Sequence, residues 1–527
     1  MITFDSLTLK AWIKENKNFL EGARIQKIQQ PTRRDFVLTL RSSGETRKLY
    51  ININPQYYHV CFMSKDNETR RLIEIPQKPP MFCMQLRKYL ENAKISKVNQ
   101  PEYERILEFY IETYNELSEK IYLCLAVELM GKHSNVVLYS YDTNIILGCA
   151  HNVGAEKSRE REMAGTLPYI YPPKQKKLDI LTYNGAINYE TLNSDFYWFS
   201  NAFAEQVKNQ PLENLKNYIS LKNISPAISK DYKSFSLFSE LLGEPLRQEA
   251  VNSMIDNYYT YYQEKEMFKN LKSHLASIVK GRLKKTKSSL DKMLFQIKSS
   301  KDADKYRLYG DLIMANLYNS KDFSKNISVY DYENDRDITI SIDETKTLKE
   351  NANKFYKQYT KSKTQCEKLK ELSSNLKQTK DYLEQVLYSI ESAEKIQELI
   401  EISSEVTEKK ASQKVLKSEP LMIQLQGAGI YIGKNNRQND YIVSKLAKDE
   451  DIWFHVKDCA GSHVLLKSDN PTDEMILACA KLAKEHSTVS KTSKVGVIYT
   501  KRKYLRKPPK ANLGYVTYRE EKEIVID

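Results

Sequence analysis

Hydrophobic and polar residues alternate through residues 451–467, and this pattern predicts two β-strands. Every second residue of 452–456 is apolar, and the chain turns at 458–461 before a second short run begins. A hairpin of these strands would have one apolar face and one face of rings and cations, formed by Trp453, His455, Lys457 and His463. We expect the second face to be exposed, although a tryptophan on a strand is also common in a core. Rings stack on bases and cations bind phosphates, so this face is a candidate RNA surface.

A repeated sequence organises the N-terminal region, residues 1–173. LEGARIQKIQQP at 20–31 recurs as LENAKISKVNQP at 90–101, which is 70 residues further along. Each copy follows a short helical segment and leads into two apolar runs typical of strands. The sequence therefore predicts two similar halves that pack as one α+β unit with a β-sandwich.

Two long helices are predicted at 248–299 and 346–402, because leucine and isoleucine recur there at intervals of three or four residues with charged residues between. They predict an antiparallel coiled-coil arm (248–404) with a small tip module at 306–342. About fifty helical residues extend on the order of 70 Å.

The region that precedes the arm, 174–247, is expected to be helical. Within it, 221–228 fits either the turn of a helix-hairpin-helix or a simple helix start with Ser225 as N-cap and Pro226 at the first position.

A linker is predicted at 405–425, and a compact α/β domain at 426–527. This last domain contains an amphipathic helical segment at 474–485. It also contains a basic stretch in which tyrosine is interleaved, formed by Lys501, Arg502, Lys503, Arg506 and Lys507. Basic residues mixed with aromatic ones favour a nucleic-acid surface.

Two charged turns, each before a predicted strand of the N-terminal region, are candidate sites for binding a phosphate or another anion. Glu104 and Arg105 precede one strand, where the arginine could bind a phosphate or simply pair with the glutamate in a solvated turn. Gly131 permits a tight turn before another strand, and the next residues offer several donors to an anion, from Lys132, His133 and Asn135.

Composition limits the classes of function. Lys and Arg total 82 against 68 Asp and Glu, a net charge of +14, which favours a polyanionic partner. The 36 tyrosines and many lysines and asparagines also fit a compositional bias, which weakens that inference. The seven cysteines contain no CxxC spacing, so we expect reduced thiols, no zinc site and no cofactor. There is no signal peptide and no long apolar run, so we expect a cytoplasmic protein that does not cross a membrane.

The chain resembles the NFACT family. The resemblance rests on FCMQLRK at 82–88, ELMGKHSN at 128–135, GDLIMANL at 310–317, and DIWFHV at 451–456 with GSHV at 461–464. It implies an N-terminal domain related to the formamidopyrimidine-DNA glycosylase fold, a helix-hairpin-helix region, a coiled-coil arm and a C-terminal RNA-binding domain. Glycosylase chemistry is not expected, because residue 2 is isoleucine where those enzymes have proline.

The resemblance also implies a function. Members of this kind bind a large ribosomal subunit that still holds peptidyl-tRNA, recruit alanyl-tRNA, and direct a C-terminal alanine tail onto the stalled nascent chain without mRNA. A small RNA-binding protein could assist them. An Asp-Arg pair needed for this elongation matches Glu104 and Arg105, and an early acidic residue matches Asp5. No side chain is expected to make or break bonds, because ribosomal RNA would perform peptide transfer. A fibronectin-binding surface adhesin and an RNA-binding scaffold without tailing activity are the alternatives.

Overall fold

The internal repeat forms one continuous antiparallel sheet of nine strands in the computed structural model, in the order β4-β3-β2-β1-β5-β6-β7-β8-β9. The structure describes residues 4–115, 117–156, 160–299, 303–318, 325–331, 334–407, 419–509 and 511–527. The strands are β1 (Arg24–Thr32), β2 (Asp35–Ser42), β3 (Glu45–Asn52), β4 (His59–Phe62), β5 (Lys94–Asn99), β6 (Ile106–Tyr114), β7 (Lys120–Glu128), β8 (Asn135–Ser140) and β9 (Ile146–Cys149).

The two halves of the sheet meet where β1 pairs with β5, and the pairing follows the repeat. Arg24 lies opposite Lys94, and these are equivalent positions of the two copies. The Gly22 N–H donates to the Ile95 carbonyl (2.7 Å), and the equivalent Asn92 N–H donates to the Ile25 carbonyl (2.7 Å). Similar local sequences thus make reciprocal bonds across an approximate two-fold axis. The two halves, which we expected to pack as one unit, are joined edge to edge here, and apolar residues of both halves belong to one buried cluster.

Three helices accompany this sheet: α1 (Ser6–Leu20), α2 (Lys65–Arg70) and α3 (Met81–Leu90). The apolar residues of α1 and α3, such as Leu7, Trp12, Phe82 and Leu86, join the main buried cluster with the strands. The opposite face near β6–β9 has a smaller core that includes Tyr139.

The region 174–247 is less helical than expected. Its elements are α4 (Leu192–Asp195), α5 (Asn201–Gln206), α6 (Leu212–Ile219), β10 (Ala227–Ser229), β11 (Phe235–Ser236) and β12 (Pro245–Arg247). Leu221 and Asn223 have positive φ angles of 54°, which end the helical path after α6. The Ser225 N–H donates to the Leu237 carbonyl (2.9 Å), so the chain enters a small sheet where a second helix was expected. Neither helical interpretation of 221–228 holds.

The N-terminal sheet anchors the first turns of α7 (Val251–Ser299), which we call the arm root (Val251–Glu266). Asp256 and Arg71 form an almost fully buried ion pair (2.5 Å). The Asp256 carboxylate also accepts from the Ser64 N–H (3.0 Å) and the Asn67 amide (2.8 Å). Asn252 bonds to both backbone polar groups of Phe62. The arm root is therefore an internal part of the N-terminal unit, residues 1–266.

The second unit, residues 267–527, begins with the rest of the arm. Its elements are α8 (Ala303–Ala315), β13 (Asn326–Asp331), β14 (Arg336–Ser341), α9 (Leu348–Ser392) and α10 (Ile396–Val406). The predicted second helix is interrupted at Ala393, whose extended backbone separates α9 from α10. Leucines of α7 and α9 pack with α10 into one cluster at this end of the arm. Of the predicted linker, 408–418 lies outside the described residues.

The C-terminal domain contains a six-stranded antiparallel sheet in the order β15-β16-β18-β17-β19-β22. Its elements are β15 (Leu421–Leu425), β16 (Ala428–Ile432), α11 (Asn436–Tyr441), a π-helical turn (Ile442–Leu446), β17 (Ile452–Val456), β18 (Val464–Lys467), α12 (Asp473–Glu485), β19 (Val495–Lys501), β20 (Leu505–Arg506), β21 (Thr517–Tyr518) and β22 (Lys522–Ile526). α12 covers the apolar face predicted from the alternation. The predicted multidomain α+β architecture, with two sheet domains and a long helical region, is confirmed.

Side-chain hydrogen bonds join the arm to this domain. The Gln385 amide of α9 donates to the Gly461 carbonyl (2.8 Å) and accepts from the Gly461 N–H (2.7 Å). The Asn435 amide donates to Glu401 of α10 (2.9 Å). The domain and this end of the arm are therefore one packed body within the second unit. None of the helices in the described part of the chain is long and apolar enough to cross a membrane.

Candidate RNA-binding surfaces

The turn between β5 and β6 holds Arg105 in a defined position. The Glu104 N–H donates to the Pro101 carbonyl (3.0 Å), and Tyr103 has a positive φ of 65°, so the chain reverses sharply here. Arg105 is half-buried, and its Nη1 donates to the Tyr58 hydroxyl (3.0 Å). The guanidinium also lies 5.8 Å from the centroid of the Tyr58 ring. A guanidinium held in this way is well prepared to bind a phosphate.

Basic side chains from residues 161–177 lie around the same turn. Burial raises the pKa of the Glu104 carboxyl, and the charges of Arg105, Arg161 and Lys174 oppose that rise. Burial lowers the pKa of the Lys177 ammonium, and the Arg105 charge lowers it further. Glu128 and Asp195 also lie in this region, because Glu128 pairs with Arg161 and the Asp195 charge partly offsets the lowering of the Lys177 pKa. Sequence reasoning missed Arg161, Lys174 and Lys177, because only the fold brings this segment beside the turn.

The predicted anion-binding turn lies close to Arg105. Residues Gly131–His133 form a short 3-10 turn, and both Lys132 and His133 are exposed. A Cβ atom on Gly131 would lie 3.8 Å from the ring of Tyr58, which is also the partner of Arg105. The structure thus brings two of the predicted sites together beside one tyrosine.

Asp5 and Asn135 do not face solvent. Asp5 caps α1 by accepting from the Thr8 N–H (2.8 Å), and it accepts from the Ser200 hydroxyl (2.7 Å). Asn135 is buried, and its side chain exchanges two hydrogen bonds with the backbone of His151. Both side chains are satisfied inside the fold, which contradicts direct contact with RNA. A role through positioning the site stays a prediction.

The Trp453 face of the C-terminal sheet is covered, which corrects the expectation that it is exposed. Trp453 is 1% exposed and His463 is 4% exposed, whereas Lys457 at the end of β17 reaches solvent. The residues that cover the indole come from the π-helical turn and from β18, β19 and β20. The buried cluster contains Ile442, Val443, Trp453, Leu465, Ile498 and Leu505. The alternation of the strand was predicted correctly, but both of its faces pack against other elements.

Three rings meet on this face, and two of their nitrogen atoms are unsatisfied. The Trp453 and His455 rings are nearly parallel (8°) with centroids 5.7 Å apart. The His463 ring is almost perpendicular to both, at 5.1 Å from Trp453 and 5.3 Å from His455. Among the described residues, nothing hydrogen-bonds to Trp453 Nε1 or to His463 Nδ1. We call these three residues the ring triad.

The ring triad should make the C-terminal domain acid-sensitive. Burial lowers the pKa of His455, and burial followed by the nearby His455 charge lowers the pKa of His463 well below its usual value of 6.5. A depressed histidine pKa means that the unfolded state binds the proton more readily. Stability is therefore full above about pH 6.5 and falls as the pH decreases, by up to about 1.4 kcal/mol per pH unit for each group.

Hydrogen exchange of peptides from β17 and β18 between about pH 7 and about pH 5 measures this loss. The variant His463→Gln should show a shallower pH dependence, and an unchanged slope would contradict the assignment.

The predicted basic stretch is exposed but largely paired. Lys501 and Lys503 both contact Glu450, at 2.7 and 2.8 Å, and Lys507 pairs with Asp440. Arg502 donates to the Val443 carbonyl (2.6 Å) and so supports the fold. Arg506 is exposed.

Three partly exposed tyrosines lie on and near this basic stretch: Tyr504, Tyr515 and Tyr518, each 37% exposed. Part of each of these rings reaches solvent, whereas Trp453 is buried. Sequence reasoning found only Tyr504, because the other two come later in the chain and join the surface through the pairing of β20 with β21.

Comparisons with known proteins agree with these domains. Residues 5–207 and 189–419 match the family described as NFACT N-terminal and middle domains, and residues 421–519 match the NFACT protein RNA binding domain. The chain is 29% identical over 565 residues to the protein named Rqc2 homolog RqcH of Bacillus subtilis (strain 168), covering 100% of this chain and 98% of that protein. It is 28% identical over 548 residues, with the same coverage, to Rqc2 homolog RqcH of Streptococcus pneumoniae serotype 2 (strain D39 / NCTC 7466).

A solved structure described as the N-terminal of the fibronectin/fibrinogen-binding protein from Streptococcus suis is also similar. It is 27% identical, covers 49% of this chain and 100% of that chain, and has a TM-score of 0.43. The family assignment does not depend on it. Because the NFACT matches run from residue 5 to residue 519, this chain belongs to the NFACT family.

Proposed function

We propose that this protein acts in ribosome quality control in the cytoplasm. It binds the large ribosomal subunit that holds a stalled peptidyl-tRNA and recruits alanyl-tRNA, so that alanine is added to the nascent chain without mRNA. The observation that carries this proposal is the end-to-end similarity to two proteins named Rqc2 homolog RqcH, which covers 100% of this chain. A match over both sheet domains and the arm favours a shared task, because a single borrowed module would match only in part.

The turn at Glu104 and Arg105 supports a tRNA-binding role for the N-terminal unit. The Tyr58 hydroxyl holds the guanidinium, and Lys132 and Lys177 add positive charge nearby. Such a group of cations favours a phosphate backbone over a neutral ligand. Glu104 is one methylene longer than the aspartate of the family pair, and it lies in a half-buried position where the nearby cations can hold it.

The chemistry of tailing does not require a catalytic side chain in this proposal. Holding two reactants in a productive arrangement can supply much of a rate enhancement. The protein would hold tRNA through the N-terminal unit and rRNA or tRNA through the C-terminal domain, and ribosomal RNA would catalyse peptide transfer.

The test is purification of the native protein from cells in which stalled ribosomes accumulate, followed by gradient sedimentation and sequencing of the bound RNA. We expect the protein to sediment with the large subunit and to enrich alanine tRNA. Arg105→Ala should reduce tRNA recovery about 10-fold, as expected for loss of a charge-assisted hydrogen bond, while subunit binding persists. Arg41→Ala, which removes an exposed arginine from β2 of the same sheet, is the matched control and should change neither.

Two results would contradict the proposal. A protein that never sediments with large subunits, even when stalled subunits are abundant, does not act on them. Equal tRNA recovery by Arg105→Ala and the unmodified protein would remove the turn from the tRNA site.

A further inference from the structure

We infer that the ring triad of Trp453, His455 and His463 is a pocket for a single unpaired nucleobase of RNA, entered beside Tyr518. This inference deepens the proposed function and rests on the C-terminal domain binding RNA. The buried ring triad would contact the base, and the exposed lysines around it would contact the sugar-phosphate backbone of the RNA.

Two buried nitrogen atoms of the ring triad, Trp453 Nε1 and His463 Nδ1, lack hydrogen-bond partners among the described residues. Leaving a buried donor or acceptor without a partner costs about 1–3 kcal/mol, so native folds rarely retain two in one cluster. Trp453 Nε1 can only donate, and a neutral imidazole nitrogen donates or accepts according to its tautomer. Together they offer a two-point contact to a ligand that carries adjacent polar atoms. The edge of a nucleobase carries donors and acceptors side by side.

The arrangement of the three rings suits a planar, uncharged ligand. Trp453 and His455 form a nearly parallel, stacked pair, and the His463 ring is perpendicular to both. A group of aromatic rings suits a planar heterocycle, which gains about 1–3 kcal/mol by stacking. The three rings carry no formal charge near neutral pH, since burial keeps both imidazoles unprotonated. The site therefore favours a base over a phosphate.

The ring triad lies close to the protein surface on the His455 side. His455 is only partly buried, and the next outward residue of the strand, Lys457, is exposed. The Tyr518 ring lies 6.0 Å from Trp453 and is itself partly exposed. Entry of a base requires movement of Tyr518 together with residues that cover the indole, such as Val443 and Leu505, and it leaves the tyrosine able to stack on the entering base. Lys457, which pairs with Glu523 (2.6 Å), can then contact the adjacent phosphate.

The experiment follows the indole N–H signals of the full-length protein by NMR while short single-stranded RNAs are added. The chain contains three tryptophans, and the variant Trp453→Phe identifies the Trp453 signal by its loss. The probes are abasic RNA strands that carry one A, C, G or U, together with a fully abasic strand. We expect at least one base-bearing strand to shift the Trp453 signal, and the abasic strand to leave it in place.

Affinity measurements separate the two kinds of contact. Trp453→Phe should reduce the affinity for the preferred base-bearing strand about 10-fold, to the level of the abasic strand, without changing abasic binding. Lys457→Ala is the matched control, and it should weaken binding of both strands equally. Binding without any shift of the Trp453 signal would refute the pocket and leave RNA binding by the domain intact. Absence of binding by every strand would contradict the RNA-binding role as well.

Discussion

Replacing Asp256 with alanine is expected to lower the free energy of unfolding of the N-terminal unit by about 3–5 kcal/mol. Asp256 and Arg71 are both almost fully buried, so removal of the carboxylate leaves a guanidinium without its counter-charge in a region of low polarity. The same change also leaves the Ser64 N–H and the Asn67 amide without their acceptor.

Urea unfolding followed by tryptophan fluorescence measures this effect, because the Trp12 indole donates to Asn252 in the neighbouring turn of α7. Glu264→Ala is the matched control. It breaks the pair between Arg70 of α2 and Glu264 of α7 (2.7 Å), which is partly exposed to solvent and should contribute less than about 1 kcal/mol. The double variant Arg71→Met with Asp256→Leu should recover part of the loss, because it removes both charges but still leaves the Ser64 N–H and the Asn67 amide without an acceptor. Similar small losses in the Asp256 and Glu264 variants would show that the buried pair does not stabilise the arm root.

Replacing Trp453 with alanine is expected to destabilise the C-terminal domain by about 3–5 kcal/mol. The indole lies in a buried cluster with Val443, Leu465 and Ile498, so its removal leaves a large cavity. Trp453→Phe should cost much less, about 1 kcal/mol. The smaller ring loses some packing, but removal of an unpaired buried N–H offsets part of that loss.

Hydrogen exchange of peptides from β17 and β19 separates these variants within the full-length protein. Trp453→Ala should increase exchange through both strands, whereas Trp453→Phe should leave most of the protection. An alanine variant that retains normal protection would mean that the indole does contact solvent, as the sequence pattern alone suggested.

The sequence by itself determined the repeat, the strands and helices that carry periodic patterns, and the family. The repeat lies at the centre of the N-terminal sheet, where similar local sequences around Arg24 and Lys94 make reciprocal bonds, but that pairing was seen only in the structure. Local patterns are reliable here because they depend on residues a few positions apart. The charged turn at Glu104 and Arg105 was visible for the same reason.

Only the tertiary structure decided which faces are buried and which charges meet. Alternation gives a strand two faces, but it does not say what covers the second one, and Trp453 is covered by segments on both sides of it in the chain. The ion pair of Arg71 with Asp256 also depends on residues far apart in sequence. Whether a side chain is buried depends on the segments that pack against it in the folded protein. The free energy of burying apolar and charged groups therefore cannot be read from one segment alone.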